Sequence, residues 1–410
     1  MVILCTNLWN HHMGPVCREM ARLNGVDFKM VLSEPLDMLE RIEGGRSDWK
    51  ASASGGEPKT EPAAKAAPCV AYEGLLPPRE PWIVQPPRTE ADWQTGVYND
   101  LIWTADVAII GATSRYAWRT IRKRVRTGKL TFFMNERFFK IPRGWKYWLN
   151  PRRHASWFRT HLLLSPPNVH YLTMNHWCAD DLAFFRGCTG RTWRWGYLIA
   201  VSAEPTPKPV REKVRIGWCG RFLRLKNVAD ILQACSSLEN SLKRQIEVIL
   251  VGEGPEKENL VRQARELGLA EIVRFLPFMS SADAKAFMRD LDVYVFPSGR
   301  QEGWGAALGE AMDASCAVIA NEAAGATLEL VKDGANGFTF KDGDIRTLTR
   351  RLDALIADAA LRRKFGLAAW QTMQQWSPAV GAQRLTALID AVRSGHTPRT
   401  PSDGLCGLIR

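Results

Sequence analysis

The sequence has 410 residues, which is more than one hydrophobic core usually supports, so two domains of about 200 residues are expected. Its formal net charge is +12, and no apolar run approaches the ~18 to 20 residues that span a bilayer. The chain opens on a strand pattern without a signal peptide, and its cysteines are scattered, odd in number and without a Cys-x-x-Cys pair, so a cytoplasmic location with reduced thiols is expected.

The beginning of the chain alternates strand and helix patterns. Val2–Thr6 is predicted as a buried strand, and residues 14–23 as an amphipathic helix that opens at Gly-Pro. A strand, a polar loop and a helix in this order are typical of the start of a Rossmann-like domain. His12 lies in that loop, at the carboxyl end of the strand, where ligands of α/β proteins bind. It is either a functional histidine or a solvated one, and both interpretations stay open.

Residues 44–67 interrupt this alternation with a stretch rich in Gly, Ala, Ser, Pro, Lys and Glu. Because the stretch has almost no large apolar side chains, it is predicted to be a mobile surface insertion. Beyond it, residues 91–101 are predicted as a helix, and residues 106–110 and 130–134 as buried strands. The α/β alternation therefore resumes after the insertion.

A basic segment lies between residues 115 and 159, where Glu136 is the only acidic residue. Its cations are Arg115, Arg119, Arg122, Lys123, Arg124, Arg126, Lys129, Arg137, Lys140, Arg143, Lys146, Arg152, Arg153 and Arg159, interleaved with Trp118, Trp145, Trp148 and Trp157. This composition suits docking on an anionic membrane surface, whereas buried tryptophans with solvated arginines are the alternative, and both stay open. A nucleic-acid partner is not expected, because no recognised nucleic-acid module is visible.

A proline-rich stretch, residues 201–211, is predicted to link an N-terminal domain, residues 1–200, to a C-terminal domain, residues 212–376. The second domain repeats the α/β pattern. Its predicted strands are residues 214–219, 246–252, 273–276, 292–298 and 317–321, and its predicted helices include 281–289 and 305–314. A helix at 377–393 that returns to the N-terminal domain and a loose tail at 394–410 complete the prediction.

Three loops of the C-terminal domain follow predicted strands. They are Gly220-Arg221 through Lys226-Asn227, Gly252-Glu253-Gly254-Pro255, and the stretch from Pro297-Ser298 to Glu310. In the third loop, Gly303 and Gly305 stand where a helix begins, so a phosphate can approach the N–H groups and the positive dipole end of that helix. Glu302 and Glu310 are suited to accept hydrogen bonds from sugar hydroxyls that flank the phosphates. The combination predicts a site for a nucleotide-activated sugar.

The third loop, Glu302-x7-Glu310 after a strand that ends in Pro-Ser, is similar to the motif of retaining glycosyltransferases of family 4. The first loop resembles that family's pattern of Gly-Arg followed after a short spacer by Lys-Gly, and the second resembles its Gly-Asp-Gly-Pro turn. The resemblance implies an α/β protein of the GT-B fold, with two Rossmann-like domains facing a central cleft. It implies that Arg221 and Lys226 clamp the donor diphosphate. Glu310 is then expected to hold the ribose hydroxyls and Glu302 the transferred sugar.

The donor site implied by the resemblance also includes Gly220, Gly252, Glu253, Gly254, Pro297, Ser298, Gly303, Trp304, Gly305 and Ala306. The implied reaction moves a sugar from a nucleotide sugar to a glycan or lipid-linked acceptor in surface polysaccharide biosynthesis. It proceeds with retention of configuration and without a metal or other cofactor. The family has no agreed protein nucleophile, so His12 and Glu136 are candidates only for the acceptor side. The run from Trp193 to Tyr197 resembles a segment of capsule and exopolysaccharide relatives.

Some positions depart from the family pattern. Asn227 replaces a glycine, and Ser315 and Ala317 replace a glycine and a proline. These departures are the only support for the alternative to an enzyme, which is a non-catalytic nucleotide-sugar-binding protein of the same fold that acts as a scaffold.

Overall fold

The structure is a computed structural model of the chain. It describes residues 1–6, 13–24, 27–33, 78–87, 89, 92–93, 97–111, 117–136, 165–183, 190–396, 398 and 403–409. His12, the insertion at 44–67 and three tryptophans of the basic segment, Trp145, Trp148 and Trp157, lie outside these ranges.

The chain divides into two compact units. The first unit is formed by Met1–Met134 with Leu162–Tyr171, and the second by Asn135–His161 with Leu172–Arg410. Residues 172–200, which the sequence assigns to the N-terminal domain, are thus grouped with the second unit.

The first sheet contains the strands β1 (Val2–Thr6), β2 (Phe28–Leu32), β3 (Ile83–Val84), β4 (Val107–Ile110), β5 (Thr131–Asn135), β6 (Val169–Thr173) and β7 (Thr192–Arg194). Their order in the sheet is β3-β2-β1-β4-β5-β6-β7. β1 pairs in parallel with β2 and β4, and every residue of β1 is buried. Strands that are covered on both faces consist of continuous apolar runs in the sequence. The ends predicted for β1, β4 and β5 therefore agree with the structure to within one residue.

The helices described in the first unit are α1 (Gly14–Asn24), α2 (Val97–Thr104) and α3 (Trp118–Arg126). The helix predicted at 14–23 is confirmed. Of the helix predicted at 91–101, residues 92–93 and 97–101 are helical and α2 continues to Thr104, while residue 91 and residues 94–96 lie outside the described ranges. Trp93, which the prediction placed inside this helix, is buried and stacks on Tyr98 with ring centroids 4.8 Å apart.

Arg124 corrects the expectation that the cations of the basic segment are exposed. Its side chain is fully buried, although it lies on α3 between exposed basic residues. The guanidinium donates to the carbonyl oxygens of Ile102, Ala105, Asp106 and Leu130 and to the Thr131 hydroxyl. Burial lowers the pKa of Arg124 to about 10, against the opposing charge of Asp106. Arg124 therefore ties α3 to α2 and β5, because all its donors are satisfied internally.

The second sheet contains the strands β8 (Val214–Cys219), β9 (Ile246–Val251), β10 (Val273–Leu276), β11 (Val293–Phe296), β12 (Ala317–Asn321) and β13 (Phe338–Phe340). All its neighbours pair in parallel, in the order β10-β9-β8-β11-β12-β13. This is the strand order of a doubly wound Rossmann-like sheet. The strands predicted for the second domain are confirmed, with the ends of β9 and β11 shortened.

The helices described in the second unit are α4 (Cys178–Ala183), α5 (Val228–Ser236), α6 (Asn240–Lys243), α7 (Lys257–Glu266), α8 (Ser281–Arg289), α9 (Ala306–Asp313), α10 (Thr327–Leu330), α11 (Ile345–Ala357), α12 (Ala359–Gln375) and α13 (Pro378–Arg393). The helix predicted at 281–289 is confirmed at those bounds. None of the helices in the described ranges is both long enough and apolar enough to cross a membrane.

The proline-rich stretch, residues 201–211, packs against α9 within the second unit. The Asp313 carboxylate accepts hydrogen bonds from the Ser202 N–H at 2.8 Å and from the Ser202 hydroxyl at 2.9 Å. Farther along, the Lys208 ammonium donates to the Ala314 carbonyl at 2.7 Å. Polar contacts therefore hold both ends of this stretch on α9 and on the residue that follows it.

The end of the chain differs from the loose tail expected at 394–410. The Cys406 N–H donates to the Arg194 carbonyl at 2.8 Å, and the Arg194 N–H donates to the Gly407 carbonyl at 2.9 Å. Leu405 and Cys406 are fully buried. Residues 403–409 are therefore held beside β7 by backbone pairing and by two buried apolar side chains.

Candidate functional site

The candidate site lies at the carboxyl edge of the second sheet, where the neighbouring strands β8 and β11 end. The strand order reverses between them, since the chain proceeds from β8 outward to β10 and then returns to β11. In open parallel sheets, ligands bind outside the carboxyl ends of the strands at such a point. The loops predicted to bind the donor follow β8, β9 and β11, so the fold gathers them at one edge.

The loops after β8 and β9 approach each other backbone to backbone. Gly252 and Gly254 have φ values of 143° and 152°, which L side chains rarely adopt. A Cβ on Gly252 would lie 1.8 Å from the Gly220 carbonyl oxygen, and one on Gly254 would lie 2.5 Å from the Phe222 carbonyl oxygen. Glycine is therefore required at both positions, and the predicted tight turn has a steric reason.

Arg221 and Glu253 are the charged side chains at this contact. Arg221 is exposed. The Glu253 carboxylate lies 2.5 Å from the Lys257 ammonium in the first turn of α7 and is about half exposed. Arg221 and Arg224, which is also exposed, thus present positive charge to solvent from the loop after β8.

Lys226 and Glu302, predicted to bind the diphosphate and the sugar, form an ion pair. Lys226 ends a single 3-10 turn, Arg224–Lys226, and Glu302 lies in the loop between β11 and α9. Their side chains are only 20% and 14% exposed. Water and salt screen such a covered pair less than a surface pair, so the contact fixes the ammonium group at the carboxyl edge.

The loop after β11 begins with buried polar groups. The Asn321 amide donates to the Pro297 carbonyl at 3.1 Å. Ser298 is fully buried, and its hydroxyl oxygen has no hydrogen-bond partner within the described ranges. A buried polar group without a partner costs about 1–3 kcal/mol. A ligand or water that offers Ser298 a partner is therefore stabilised at this position.

The same loop ends at the N-terminus of α9. Gly305 caps this helix in a left-handed conformation, with φ 95°, and no side chain bonds to the first helical N–H groups. A Cβ on Gly305 would lie 2.2 Å from the Phe296 ring. Ala306, the first helical residue, has a small side chain, so the N–H groups and positive dipole end of α9 are accessible to an anion.

The Trp304 side chain packs in the interior of the second unit. It is 2% exposed, and its ring centroid lies 5.7 Å from that of Trp376. A Cβ on Gly196 would lie 2.4 Å from the Trp304 ring. The Trp304 side chain therefore belongs to the core, and its backbone is the part left for the donor-binding role predicted for this residue.

Glu310 occupies a partly buried position on α9. Burial raises the pKa of Glu310. The charge of Lys285 opposes this rise, and the charge of Asp313 adds to it. Glu310 in turn raises the pKa values of Cys219 and Tyr294, after the larger effect of burial. Because Cys219 ends β8 and Tyr294 lies in β11, the carboxylate is close to the point where the strand order reverses.

Glu136 lies against the Glu302 loop. A Cβ on Gly303 would lie 2.1 Å from Glu136 Oε2, so a larger residue at 303 would displace this carboxylate. The Tyr197 hydroxyl donates to Glu136 Oε1 at 2.7 Å. Burial raises the pKa of Tyr197 well above its ordinary value, and the charges of Glu136 and Glu302 raise it further. The predicted acceptor-side and donor-side carboxylates are therefore close to one phenol.

The segment after β6 contributes contacts to which the sequence assigns no role. The Asn175 amide donates to the Gly303 carbonyl at 2.6 Å. His176 Nδ1 lies 3.0 Å from Glu329 Oε1, and Arg194 Nε donates to Glu329 Oε2 at 3.1 Å. Asn-His directly after a buried strand is the signal that could locate this cluster, because such positions face the ligand edge of a sheet.

The three departures from the family pattern have structural reasons. Asn227 and Ser315 both adopt left-handed conformations, with φ 48° and 58°, which glycine adopts at no steric cost and Asn tolerates. The Ser315 hydroxyl accepts a hydrogen bond from the Thr206 N–H at 2.9 Å. The Ala317 N–H donates to the Asp292 carbonyl at 3.0 Å, a bond that proline cannot form. The backbone at 227 and 315 therefore has the left-handed conformation that glycine favours, and Ala317 adds a backbone hydrogen bond.

Asp342 connects the Lys226 turn to the loop after β11. Its Oδ1 accepts hydrogen bonds from the Asn227 amide at 3.2 Å and from the Asn321 amide at 2.7 Å. Asp230, in the first turn of α5, has a pKa raised to about 6, by burial first and then by the charge of Asp342. An acidic pair therefore lies beside the turn that carries Lys226.

Comparison with known proteins identifies a family over part of the chain. Residues 204–372 match the family model described as Glycosyl transferases group 1. The capsular polysaccharide biosynthesis glycosyltransferase CapM of Staphylococcus aureus is 26% identical over 40% of this chain and 42% of its own length. The phosphatidyl-myo-inositol mannosyltransferase of Mycobacterium leprae is 32% identical over 36% of this chain and 38% of its own. The matches thus span about two fifths of these curated relatives.

A solved structure matches nearly the whole chain. HepE of Anabaena, in complex with UDP, aligns with 95% of this chain and 99% of its own, with a TM-score of 0.65 and 15% identity. At this identity the likeness shows the fold alone. It confirms the predicted fold class, an α/β protein of the GT-B type with two Rossmann-like domains.

Proposed function

Because residues 204–372 belong to the glycosyl transferases group 1 family, we propose that the chain is a glycosyltransferase that uses a nucleoside diphosphate sugar. The observation that carries the proposal is the Lys226–Glu302 ion pair at the carboxyl edge of the second sheet. Lys226 comes from the loop after β8 and Glu302 from the loop after β11. A cation for the diphosphate and an acceptor group for the sugar hydroxyls are thus already adjacent.

In the proposed reaction, the bond between the sugar C1 and the diphosphate oxygen breaks, and the diphosphate leaves with the electron pair. An acceptor hydroxyl oxygen bonds to C1, and its proton is released along with the nucleoside diphosphate. Arg221 and Lys226 stabilise the charge that develops on the diphosphate, and the N-terminus of α9 adds its dipole. These protein cations supply the stabilisation that a metal ion provides elsewhere, so the proposed reaction is independent of metals and other cofactors.

The two carboxylates of the motif have different proposed ligands. Glu310, close to the ends of β8 and β11, holds the ribose hydroxyls. Glu302, paired with Lys226, holds hydroxyls of the transferred sugar. Since HepE was solved with UDP, uridine nucleotides are the first donors to test.

The acceptor side includes Glu136, whose carboxylate lies against Gly303 and accepts from Tyr197. His12, outside the described residues, stays a candidate. The names of the relatives favour a glycan or lipid-linked acceptor in surface polysaccharide biosynthesis, and the family resemblance favours retention of configuration at C1.

An enzyme whose acceptor is bound to a membrane must reach the membrane surface. The exposed part of α3 is the surface proposed to bind the anionic inner face of that membrane. A groove of about 970 Å³ on this helix is lined by Trp118, Arg119, Arg122, Lys123 and Arg126. Lysine and arginine near an anionic leaflet contribute about 1 kcal/mol each. We therefore propose that the protein binds the membrane surface peripherally and dissociates from it at high salt.

Vesicle sedimentation tests this part of the proposal. Arg119, Arg122, Lys123 and Arg126 are changed to Gln together, and Arg124 is kept because it is buried. The matched control changes Arg244, Arg346, Arg350 and Lys364, which are exposed on the second unit. Loss of binding to anionic vesicles in the first variant alone is expected. Equal binding by both variants contradicts the docking surface.

The scaffold alternative is less favoured, because its only support was the three departures, and two of them, Asn227 and Ser315, keep the left-handed conformation that glycine favours. Release of nucleoside diphosphate from a panel of sugar nucleotides, with oligosaccharide or glycolipid acceptors, separates an enzyme from a scaffold. Acceptor-dependent release supports the enzyme. Donor binding without any release, across the panel, supports the scaffold.

A further inference from the structure

A second basic cavity lies at the opposite edge of the second sheet, where strands β8, β11 and β12 begin. Its volume is about 140 Å³, several times the ~30 Å³ that one water molecule takes in the liquid. The charged residues that line it are Lys208, Arg211, Lys213, Arg362, Arg363 and Asp292. Cations thus outnumber carboxylates in a space large enough for a small polyatomic ion.

The positive charge of this cavity is only partly neutralised. Lys208 donates to backbone carbonyls, which satisfy its N–H groups but carry no net charge. Within residues 190–396, Lys213 and Arg363 are exposed and form no ion pair. Arg211 is paired with Asp290. The remaining charge makes the cavity attractive to an anion.

The first turn of α12 adds to this charge. The helix begins at Ala359, which lines the cavity, and Asp358 caps it by accepting a hydrogen bond from the Leu361 N–H at 2.9 Å. Arg362 and Arg363 follow at the end of the first turn, where cations are unfavourable because of the helix dipole. Burial lowers the pKa of Arg362, Asp292 opposes this shift, and the charge of Arg363 adds to it. An anion bound in the cavity relieves both sources of repulsion.

We propose that this cavity binds a phosphate group, either free orthophosphate or the phosphate of a small phosphorylated metabolite. A phosphate offers several acceptor oxygens to the Arg363 guanidinium and the Lys213 ammonium, and it carries close to two negative charges at neutral pH. A carboxylate has fewer acceptor oxygens and a single charge.

The site differs from the donor site in position and in supporting residues. It lies at the amino edge of the sheet, whereas Lys226 and Glu302 lie at the carboxyl edge. Four of its lining residues belong to the proline-rich stretch 201–211, namely Lys208, Pro209, Val210 and Arg211. A bound phosphate therefore bridges that stretch and the first turn of α12.

Calorimetric titration of orthophosphate at constant ionic strength tests the proposal. All proteins carry Lys226→Ala, so that the donor site contributes little to the heat. The test variant adds Lys213→Gln and Arg363→Gln, and the matched control instead adds Arg350→Gln and Lys364→Gln, which remove the same charge from exposed positions that do not line the cavity. Saturable binding is expected, with about a tenfold loss in the test variant and no loss in the control.

Equal phosphate affinity in the test variant and the control overturns the proposal. A heat signal that chloride reproduces at the same ionic strength also overturns it, because such a signal reports general ionic screening and not a phosphate site. A parallel titration with glycerol 3-phosphate distinguishes the sources. Tighter binding of the ester supports a phosphorylated metabolite as the ligand, and tighter or equal binding of orthophosphate supports free phosphate.

Discussion

Both edges of the second sheet carry cations, but these cations have different partners. At the carboxyl edge, Lys226 is paired with Glu302, and close backbone contacts require glycine at 252. At the amino edge, Lys208 is satisfied by carbonyl oxygens and Arg363 forms no ion pair within residues 190–396. One edge is defined by geometry and paired charges, and the other by excess positive charge.

The two edges are therefore expected to select their ligands by different features. A cation that already has a carboxylate partner gains less from an incoming anion than a cation without one. The carboxyl edge must therefore recognise its ligand by shape and by hydroxyl contacts in addition to charge. The amino edge attracts small anions by charge, so ionic strength should affect it more strongly.

The largest expected effect comes from Gly252→Ala. The new Cβ would overlap the Gly220 carbonyl oxygen, so the loops after β8 and β9 must separate, at a cost on the order of 3 kcal/mol or more. Donor binding should be lost along with stability. Gly268→Ala is the matched control, because Gly268 also has positive φ but has open space around it, and it should cost only about 1 kcal/mol. Similar thermal unfolding of the two variants would contradict the steric account.

Lys226→Ala should lower kcat by about 10²–10³-fold, because it removes a charge from the departing diphosphate. Lys213→Ala removes a charge from the amino edge and should leave kcat unchanged. Steady-state kinetics of both variants make the comparison. If both lower kcat to the same extent, net charge and not position governs the reaction.

Asp230→Asn tests the acidic pair beside the Lys226 turn. The folded-state pKa of Asp230, about 6, lies above its ordinary value of 3.8, so this carboxyl favours folding when protonated and loses that contribution as pH rises through about 6. The variant should thus be more stable than the wild type at pH 7.5, by about 1 kcal/mol after allowance for solvent screening, with little difference at pH 4.

Denaturant unfolding at the two pH values measures this difference. Asp353→Asn is the control, since Asp353 is exposed on α11. A stabilisation of Asp230→Asn that is the same at both pH values would show that charge on Asp230 is not its cause.

The smallest expected effect is that of Asn227→Gly. Glycine adopts the left-handed conformation freely, so stability should change by less than about 0.5 kcal/mol and turnover should be kept. Asn227→Ala should cost about 1 kcal/mol, because Ala is disfavoured at φ 48°. Loss of turnover in Asn227→Gly would show that the Asp342 contact positions Lys226.

The sequence predicts the parts of the site that depend on local patterns. The buried strand β8, the glycines at 252 and 254 and the pair Glu302 and Glu310 all follow from apolar runs, turn residues and motif spacing. These features are local because a strand and the turn after it are specified by neighbouring residues.

Contacts between distant segments could not be predicted in the same way. The sequence does not distinguish Arg124 from the other cations of the segment, because most of its partners are backbone carbonyls, which have no sequence signature. Trp304 appears beside the motif but packs against Gly196 and Trp376. The contact of Glu136 with Gly303 likewise depends on tertiary structure.

The central claim is that the carboxyl edge of the second sheet binds a nucleoside diphosphate sugar. Calorimetry with UDP and a UDP-sugar, on the wild type and on the variants Glu310→Ala and Glu302→Ala, tests it most directly. The account predicts that Glu310→Ala weakens both ligands, whereas Glu302→Ala spares UDP and weakens the UDP-sugar. If no nucleoside diphosphate in a wider panel binds, or if both variants affect both ligands equally, the account is contradicted.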